Sequence, residues 1–355
     1  MRACSACFTA STWIPNASPP EYSPAICDFG HGFAHHTWPT TAWVDSFIRL
    51  FAIYEAADST GEGEELHVQI QKDWEVFSFA NPEQNRQFLS SAVQEGHPFL
   101  EPGMRVRLRS TSDGRSADHF SSWSRFSEEI RTRNRYFPQT VPDRKILEHV
   151  LLDSVERIEQ GIRLYRGRVI DSHSIPSASE MSAPPPEKAV AGRANPVGIP
   201  YLYLSYALET CVYETRVANH TRVAIGTFHV ARDLKVLNLA DIEAPDFFSV
   251  DEIDLVDEQI ARVSFRRYLT ALSYELRKPV RSSDQPTDYI PTQYLCELAK
   301  SLGLDGVLYS SSLDPTGRNV VLFDVTAAEC DSDFQVIEIT SLEAKWREAE
   351  VEQLI

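Results

Sequence analysis

No stretch of the sequence reaches the run of about eighteen consecutive apolar residues that a membrane-spanning helix needs, and the N-terminal MRACSACFTAS has no basic segment followed by an apolar one. The first absence argues against a membrane partner. The second removes the usual mark of export, so a cytoplasmic protein is expected. Cysteine is sparse: six in 355 residues cannot make the dense disulfide frame of a small secreted domain, and they are expected as reduced thiols or metal ligands. Basic residues are also in deficit. A formal net charge of −17 leaves no surplus of Lys and Arg for neutralising phosphates, so a general nucleic-acid binder is not expected and any anionic ligand must meet a locally basic pocket. No internal repeat is visible. What is present is ordinary globular chain: 43% hydrophobic residues, enough for a full core and for two domains.

Residues 1–40 are rich in Cys, His, Pro and Trp without sustained periodicity and read as a small knuckle or irregular lead-in. From Thr41 to Ala56, Trp43, Phe47, Leu50, Phe51 and Tyr54 recur at three- and four-residue steps, which predicts a helix. Further amphipathic helices are expected over 121–136 (Trp123, Phe126, Ile130) and 143–163 (Ile146, Leu147, Val150, Leu151, Val155, Ile158). The pattern then changes. IRLYRGRVI alternates as a strand, and SHSIPSASEMSAPPPEKAVAG is too rich in Pro and Ser for regular structure. GIPYLYLS reads as a strand, ALETCVYETRVANH as a helix capped by Ser205, and RVAIGTFHVA with LKVLNLA as a strand pair across a polar turn. A helix over 256–277 and a shorter one, PTQYLCELAKSLG, with Pro291 in its first turn and Gly303 as its stop, lead to the strands GVLYSSS, NVVLF and FQVIEI. The expected class is α+β, a mainly helical first half followed by a mixed α/β half.

Three features of the second half carry chemistry. In the helix beginning near Tyr206, Ala207, Cys211, Glu214 and Ala218 fall close to one face, so a carboxylate shares a stripe with small apolar residues. It needs a partner there, or else sits at the edge of the stripe paired with Arg216 or another cation. Arg166 shares a strand face with Leu164, where a guanidinium needs an anion, protein or ligand, unless the strand turns its three arginines to water. In GRANPVGIPYLYLS, Gly192 and Gly198 permit a tight backbone path, Arg193 and Asn195 offer donors, and Tyr203 ends the strand just before the helix of Glu214.

LYRGR, the Pro-rich loop closing on GRANPVGIPYLYLS, ALETCVYETR and YIPTQYLCELAKSLGLDGVLYSSS…GRNVVLF follow one another in that order, and together they resemble the RES-domain family, named for its arginine, glutamate and serine. The resemblance covers roughly residues 160–330. It implies a compact fold similar to ADP-ribosyltransferases and an enzyme that destroys NAD by cleaving the nicotinamide–ribose bond, with phosphate or water as acceptor. Carried over, the family's arginine falls on Arg166, its tyrosine on Tyr203, its glutamate on Glu214 and its serine on Ser311, with Ser310 and Ser312 as neighbouring alternatives. Glu214 would stabilise positive charge developing on the ribose, and Arg166 would take the pyrophosphate. Ser311 and Tyr203 would orient the dinucleotide, with Arg193, Asn195 and Asn319 as further donors to it. The resemblance also implies a toxin-like role and a helix-turn-helix antitoxin as a candidate partner, with restraint by the fused N-terminal half as the alternative; a second copy of the chain is a separate candidate partner.

CSAC at 4–7 and CDFGH at 27–31 resemble the domain that precedes RES in longer family members, related there to HEPN helical domains. Gly30 stands where a fourth cysteine is expected, and His31, His35 or His36 could complete a Cys₃His zinc site. The expected set is Cys4, Cys7, Cys27 and His31. RKILEH gives Arg144 and His149 the spacing of HEPN ribonucleases, although five helical steps separate them by roughly 500° and off a shared line. The domain expectation is a knuckle at 1–40, a helical domain at 41–159, the RES domain at 160–340 and a tail at 341–355. Transfer of ADP-ribose to a macromolecule, and a HEPN-type ribonuclease or binding module, are the alternatives to NAD destruction.

Overall fold

Strand, not irregular chain, is what the Cys-rich N-terminus forms in the computed structural model, which describes residues 1–14, 23–57, 63–93, 96–111, 123–141, 144–170, 176–245, 247–249, 255–278 and 285–341. These belong to two compact units. The first comprises Met1–Arg125, Gln139–Asp143 and Ile242–Thr270, and the second Phe126–Pro138, Arg144–Asp241 and Ala271–Ile355. The expected linear boundaries at residues 40 and 160 do not coincide with this division, because the knuckle shares a unit with the helices C-terminal to it and the later segment Ile242–Thr270 joins them. The expected tail lies, from residue 342 onward, outside the described residues.

In the first unit β1 (Arg2–Cys4), β2 (Ser23–Cys27) and β3 (Gly32–Pro39) form an antiparallel sheet in the order β1-β3-β2. Arg2 binds it from within, donating from Nε to Thr37 Oγ1 (2.9 Å) and from Nη2 to Ser23 Oγ (2.8 Å). A 3₁₀ turn leads into α1 (Val44–Phe51), which buries Phe47, Leu50 and Phe51. The helix stops short of Ala56 because Tyr54–Ala56 is strand β4, paired with β6 (Arg105–Leu108), whose other neighbour is β5 (Glu64–Glu65). A period of three to four residues cannot reveal such a change, since Tyr54 continues it by chance. Helix α2 (Leu66–Trp74) comes next, then α3 (Pro82–Ala92), started by Asn81, whose side chain accepts from Glu83 N at 3.0 Å, and by Pro82 in its first turn. Phe88 is central to the core, with ring centroids 5.1 Å from Phe77 and 5.4 Å from Trp43. Two small sheets thus accompany the helices expected in this half.

The second unit takes up α4 (Trp123–Thr132) at Phe126 and continues with α5 (Arg144–Asp153). Arg144 pairs with Glu148 at 2.6 Å on the exposed side of that helix. The helix expected to reach residue 163 ends at Asp153, and Val155–Ile158 is β7, because its backbone finds an antiparallel partner in β11 (Leu234–Asn238). Then come β8 (Arg163–Ile170), the short α6 (Ala178–Met181) with a Ser177–Glu180 capping box, β9 (Leu202–Ser205), α7 (Leu208–Glu214) and β10 (Arg222–Val230). Ser205 is not the cap of α7: it closes β9, and the N-cap is Ala207, which makes no side-chain capping bond. Helix α8 (Leu255–Arg277) belongs to the first unit up to Thr270 and to the second from Ala271. Helix α9 (Ile290–Ser301) is followed by β12 (Gly306–Ser310), β13 (Arg318–Leu322), β14 (Ala328–Cys330) and β15 (Gln335–Glu338).

These strands make a nine-stranded mixed sheet in the order β14-β10-β8-β9-β13-β12-β11-β7, with β15 also on β10. The class is α+β. Consecutive β10 and β11 do not form the expected pair. Strand β8 pairs with β10 over eight residues, from Arg163↔His229 to Ile170↔Arg222, while β11 runs parallel to β12. Adjacency in sequence is only a prior for pairing, and a longer partner prevails. One sheet face buries Leu164, Leu202, Leu204, Phe228, Leu308 and Val320. No described helix is long and apolar enough to cross a membrane.

Candidate active site and metal centre

The ladder between β8 and β9 consists of the single pair Tyr165↔Ser205. Antiparallel pairing would next join Arg166 to Leu204 and Gly167 to Tyr203, but those pairs are not made, so the sheet parts there. All four residues line a cavity of about 520 Å³, within the size range of small-molecule sites. Its floor is one cross-strand row. Tyr165, Ser205, Asn319 and Tyr309 are directly paired neighbours across β8, β9, β13 and β12, so their side chains share a face, and all four line the cavity. Helix α7 borders it with Cys211 and Glu214. The helix lies flush on β8 at Gly167, where a Cβ would stand 2.5 Å from Thr215 Cγ2 and 3.3 Å from Cys211 Sγ.

Glu214 is held by neutral donors. Ser311 Oγ and Asn319 Nδ2 each donate to its Oε1 at 2.7 Å, and among the described residues Oε2 receives no hydrogen bond. The alternative of an ion pair with Arg216 is not what forms, so among the described residues no cation cancels the carboxylate charge. Ser311 is saturated by these bonds: its one proton goes to Glu214, and its oxygen accepts from Leu313 N and Asp314 N, both at 3.1 Å. It therefore serves the carboxylate and not the dinucleotide, which is the role the sequence suggested. Ser310 Oγ donates to Ala240 O at 3.1 Å, and only Ser312 of the three serines lines the cavity. Thr210 Oγ1 donates to Asp314 Oδ2, fastening the serine loop to α7.

Tyr203 and Asn195 are likewise occupied. Tyr203 OH donates to Asn195 Oδ1 at 2.8 Å and accepts from Ala194 N at 3.3 Å, and burial pushes its phenol pKa upward. Asn195 Nδ2 donates to the carbonyls of Val190, Pro196 and Ile199 at 3.0–3.2 Å. Asn195 is buried and absent from the cavity wall, so it is not placed to bind the dinucleotide; its amide instead organises the 190–199 loop. Gly192 permits this closure, since a Cβ there would stand 2.5 Å from Asn195 Oδ1 and 2.8 Å from Tyr203 OH. Arg193 is carried by the loop onto the wall, its guanidinium 4.9 Å from the Tyr289 ring centroid.

Arg166 is the electrostatic opposite of Glu214. Burial first, and the neighbouring Arg168 second, lower its pKa to about 10, which leaves it charged at neutral pH. Its Nη1 is buried and meets no protein acceptor among the described residues. A desolvated cation with an unused donor on a cavity wall is a seat for an anion. Arg216, at the left-handed φ of 50°, and Arg277 and Lys278, at the end of α8, also line the cavity. Sequence reading passed over Arg277 and Lys278, since charges ending a long helix look like a solvated face. Among the described residues, five cations and one carboxylate thus surround the space in a strongly acidic chain.

In the first unit, Cys4, Cys7, Cys27 and His31 converge, with their ligand atoms all within 4.8 Å of one another. Cys7 Sγ is 3.5 Å from Cys27 Sγ, and His31 Nδ1 lies 3.6, 3.4 and 3.6 Å from the sulfurs of Cys4, Cys7 and Cys27. A tetrahedral zinc with bonds of about 2.3 Å to sulfur requires edges of about 3.8 Å. The donor set fits such an ion in chemistry and in spacing. His31 completes the set, held between turn residues Gly30 and Gly32, both at positive φ, and His35 and His36 are not part of it.

A family model described as the RES domain matches residues 163–347. No curated protein matches. Among solved structures, the chain is similar to one from the M. tuberculosis MbcT-MbcA toxin-antitoxin complex, with 16% identity, a TM-score of 0.32, and coverage of 55% of this chain and 93% of that one. The family match takes in more than half of the sequence and every residue on the cavity wall, and the chain belongs to the RES domain family.

Proposed function

We propose that the second unit is a toxin-like enzyme that cleaves the nicotinamide–ribose bond of NAD. The observation that carries this reading is one cavity lined by both Arg166, whose Nη1 meets no acceptor among the described residues, and a carboxylate held by neutral donors. In this reading the pyrophosphate neutralises Arg166, and Glu214 stands by the ribose. The bond from the ribose carbon to the nicotinamide nitrogen breaks, its electron pair leaving with nicotinamide. The positive charge left on the ribose is stabilised by Glu214. An oxygen of the acceptor then bonds to the same carbon, and where the acceptor is water one of its protons passes to solvent. Hydroxyl contacts to the substrate fall to Ser312, since Ser311 and Tyr203 have theirs engaged.

The acceptor in this reading is phosphate or water. Incubating the full chain with NAD, with and without inorganic phosphate, and weighing the products tests the reading and identifies the acceptor. Nicotinamide is expected in both cases, together with ADP-ribose where water is the acceptor and a phosphorylated ADP-ribose where phosphate is. Intact NAD would overturn the reading, and label from NAD retained on protein or nucleic acid would replace it with ADP-ribosyl transfer.

In the first unit, Cys4, Cys7, Cys27 and His31 would hold a structural zinc, which supplies folding energy and no reaction chemistry. Burial pushes the Cys7 thiol pKa upward, and a bound metal is what lets a buried thiolate persist there. Metal analysis is expected to find about one zinc per chain, and Cys7→Ser to lose it and lower the melting temperature by several degrees. A metal-free wild-type protein with the same stability as the variant would dismiss the site.

A further inference from the structure

We propose that Ser205 is a positioning residue for the Glu214 carboxylate, acting through the side chain of Asn319. The two face each other across β9 and β13. Ser205 Oγ donates to Asn319 Oδ1 at 2.7 Å, and Asn319 Nδ2 passes the bond on to Glu214 Oε1 at 2.7 Å. Ser205 is 5% and Asn319 2% exposed, so bulk water does not replace either partner.

The two ends of a carboxamide have nearly the same shape, and what each end bonds to decides which one meets the carboxylate. Here the oxygen end is satisfied by the hydroxyl on β9, and the nitrogen end is left for Glu214. The bonds run in one direction, from hydroxyl to amide to carboxylate, so each polarises the next and the last is strengthened. Without the hydroxyl, Oδ1 becomes a buried acceptor with no donor. The amide then turns to find one and its N–H leaves Oε1. Glu214 is left with Ser311 alone, whose anchorage by Leu313 N and Asp314 N is independent of Ser205.

The kinetic consequence rests on the NAD reading; the structural one does not, and the experiment separates them. In the full-length protein the side-chain amide resonances of Asn319 are identified by their loss in Asn319→Ala. They are expected as a well-dispersed pair in wild type and as a collapsed, fast-exchanging pair in Ser205→Ala, without any substrate. In NAD turnover, Ser205→Ala is expected to lower kcat roughly 10- to 100-fold, the effect of a slightly misplaced catalytic group, with KM nearly unchanged. In the Asn319→Ala background, Ser205→Ala is expected to add nothing further. Should Ser205→Ala fold poorly, Ser205→Cys fills the same space with a weak donor and must show the same amide change. Unaltered Asn319 resonances in the Ser205 variants, or losses that add in the double variant, would overturn the proposal. If wild-type protein leaves NAD intact, the NAD reading falls and the resonances alone decide on Ser205.

Discussion

Glu214→Gln is expected to lower NAD turnover about 100- to 1000-fold, the scale set by losing one preorganised electrostatic contact to a transition state, while the melting temperature stays at the wild-type value. Glutamine keeps an oxygen where Ser311 and Asn319 deliver their hydrogen bonds, so the network survives and only the negative charge is removed. Alanine would leave two donors without an acceptor and mix a structural loss with the chemical one. Because the charge acts on a cation that exists only as the glycosidic bond breaks, kcat should carry the loss and KM should move little. Turnover by Glu214→Gln near the wild-type rate would remove the carboxylate from the mechanism.

Arg166→Met is expected to abolish NAD turnover and yet to melt at or above the wild-type temperature, by up to roughly 4 °C. The folded state disfavours this charge, since burial and Arg168 lower its pKa to about 10 from an ordinary 12.5. Between those values the unfolded chain binds more protons than the folded one, so stability rises with pH there. At neutral pH the full cost of the buried charge is present. A methionine of similar length removes that cost and the unused Nη1 donor together. The same logic makes ADP-ribose, which retains the pyrophosphate, a stabiliser of wild type and not of the variant. Thermal melts of both proteins with and without ADP-ribose check this, and an Arg166→Met protein that still turns over NAD, or that unfolds well below wild type, contradicts it.

How much of this was readable from the chain differs from residue to residue. Arg166, Tyr203 and Glu214 each lie in a short contiguous motif, on a strand or helix that local pattern identifies. The space between them depends on where β8 and β9 stop pairing, and register leaves no local mark in sequence. The serine cluster was visible as a cluster, but the division of labour among Ser310, Ser311 and Ser312 is set by partners as distant as Ala240 and Glu214. Ser205 looked like a helix cap because a serine before a helical run usually is one. The paths of β10 and β11 were misjudged for a similar reason: alternating runs around a polar turn state that strands exist, not which strands they join. The Cys₃His set was legible from spacing in part, with the histidine among three candidates settled only by the turn at Gly30 and Gly32.

The flush contact at Gly167 has a bearing on tolerance to change. It stands next to Arg166 in the chain and against Thr215, the neighbour of Glu214. Any side chain there would push the end of α7, which carries the carboxylate, off β8, which carries the guanidinium. A residue with no functional group of its own is thereby among the least replaceable in the unit.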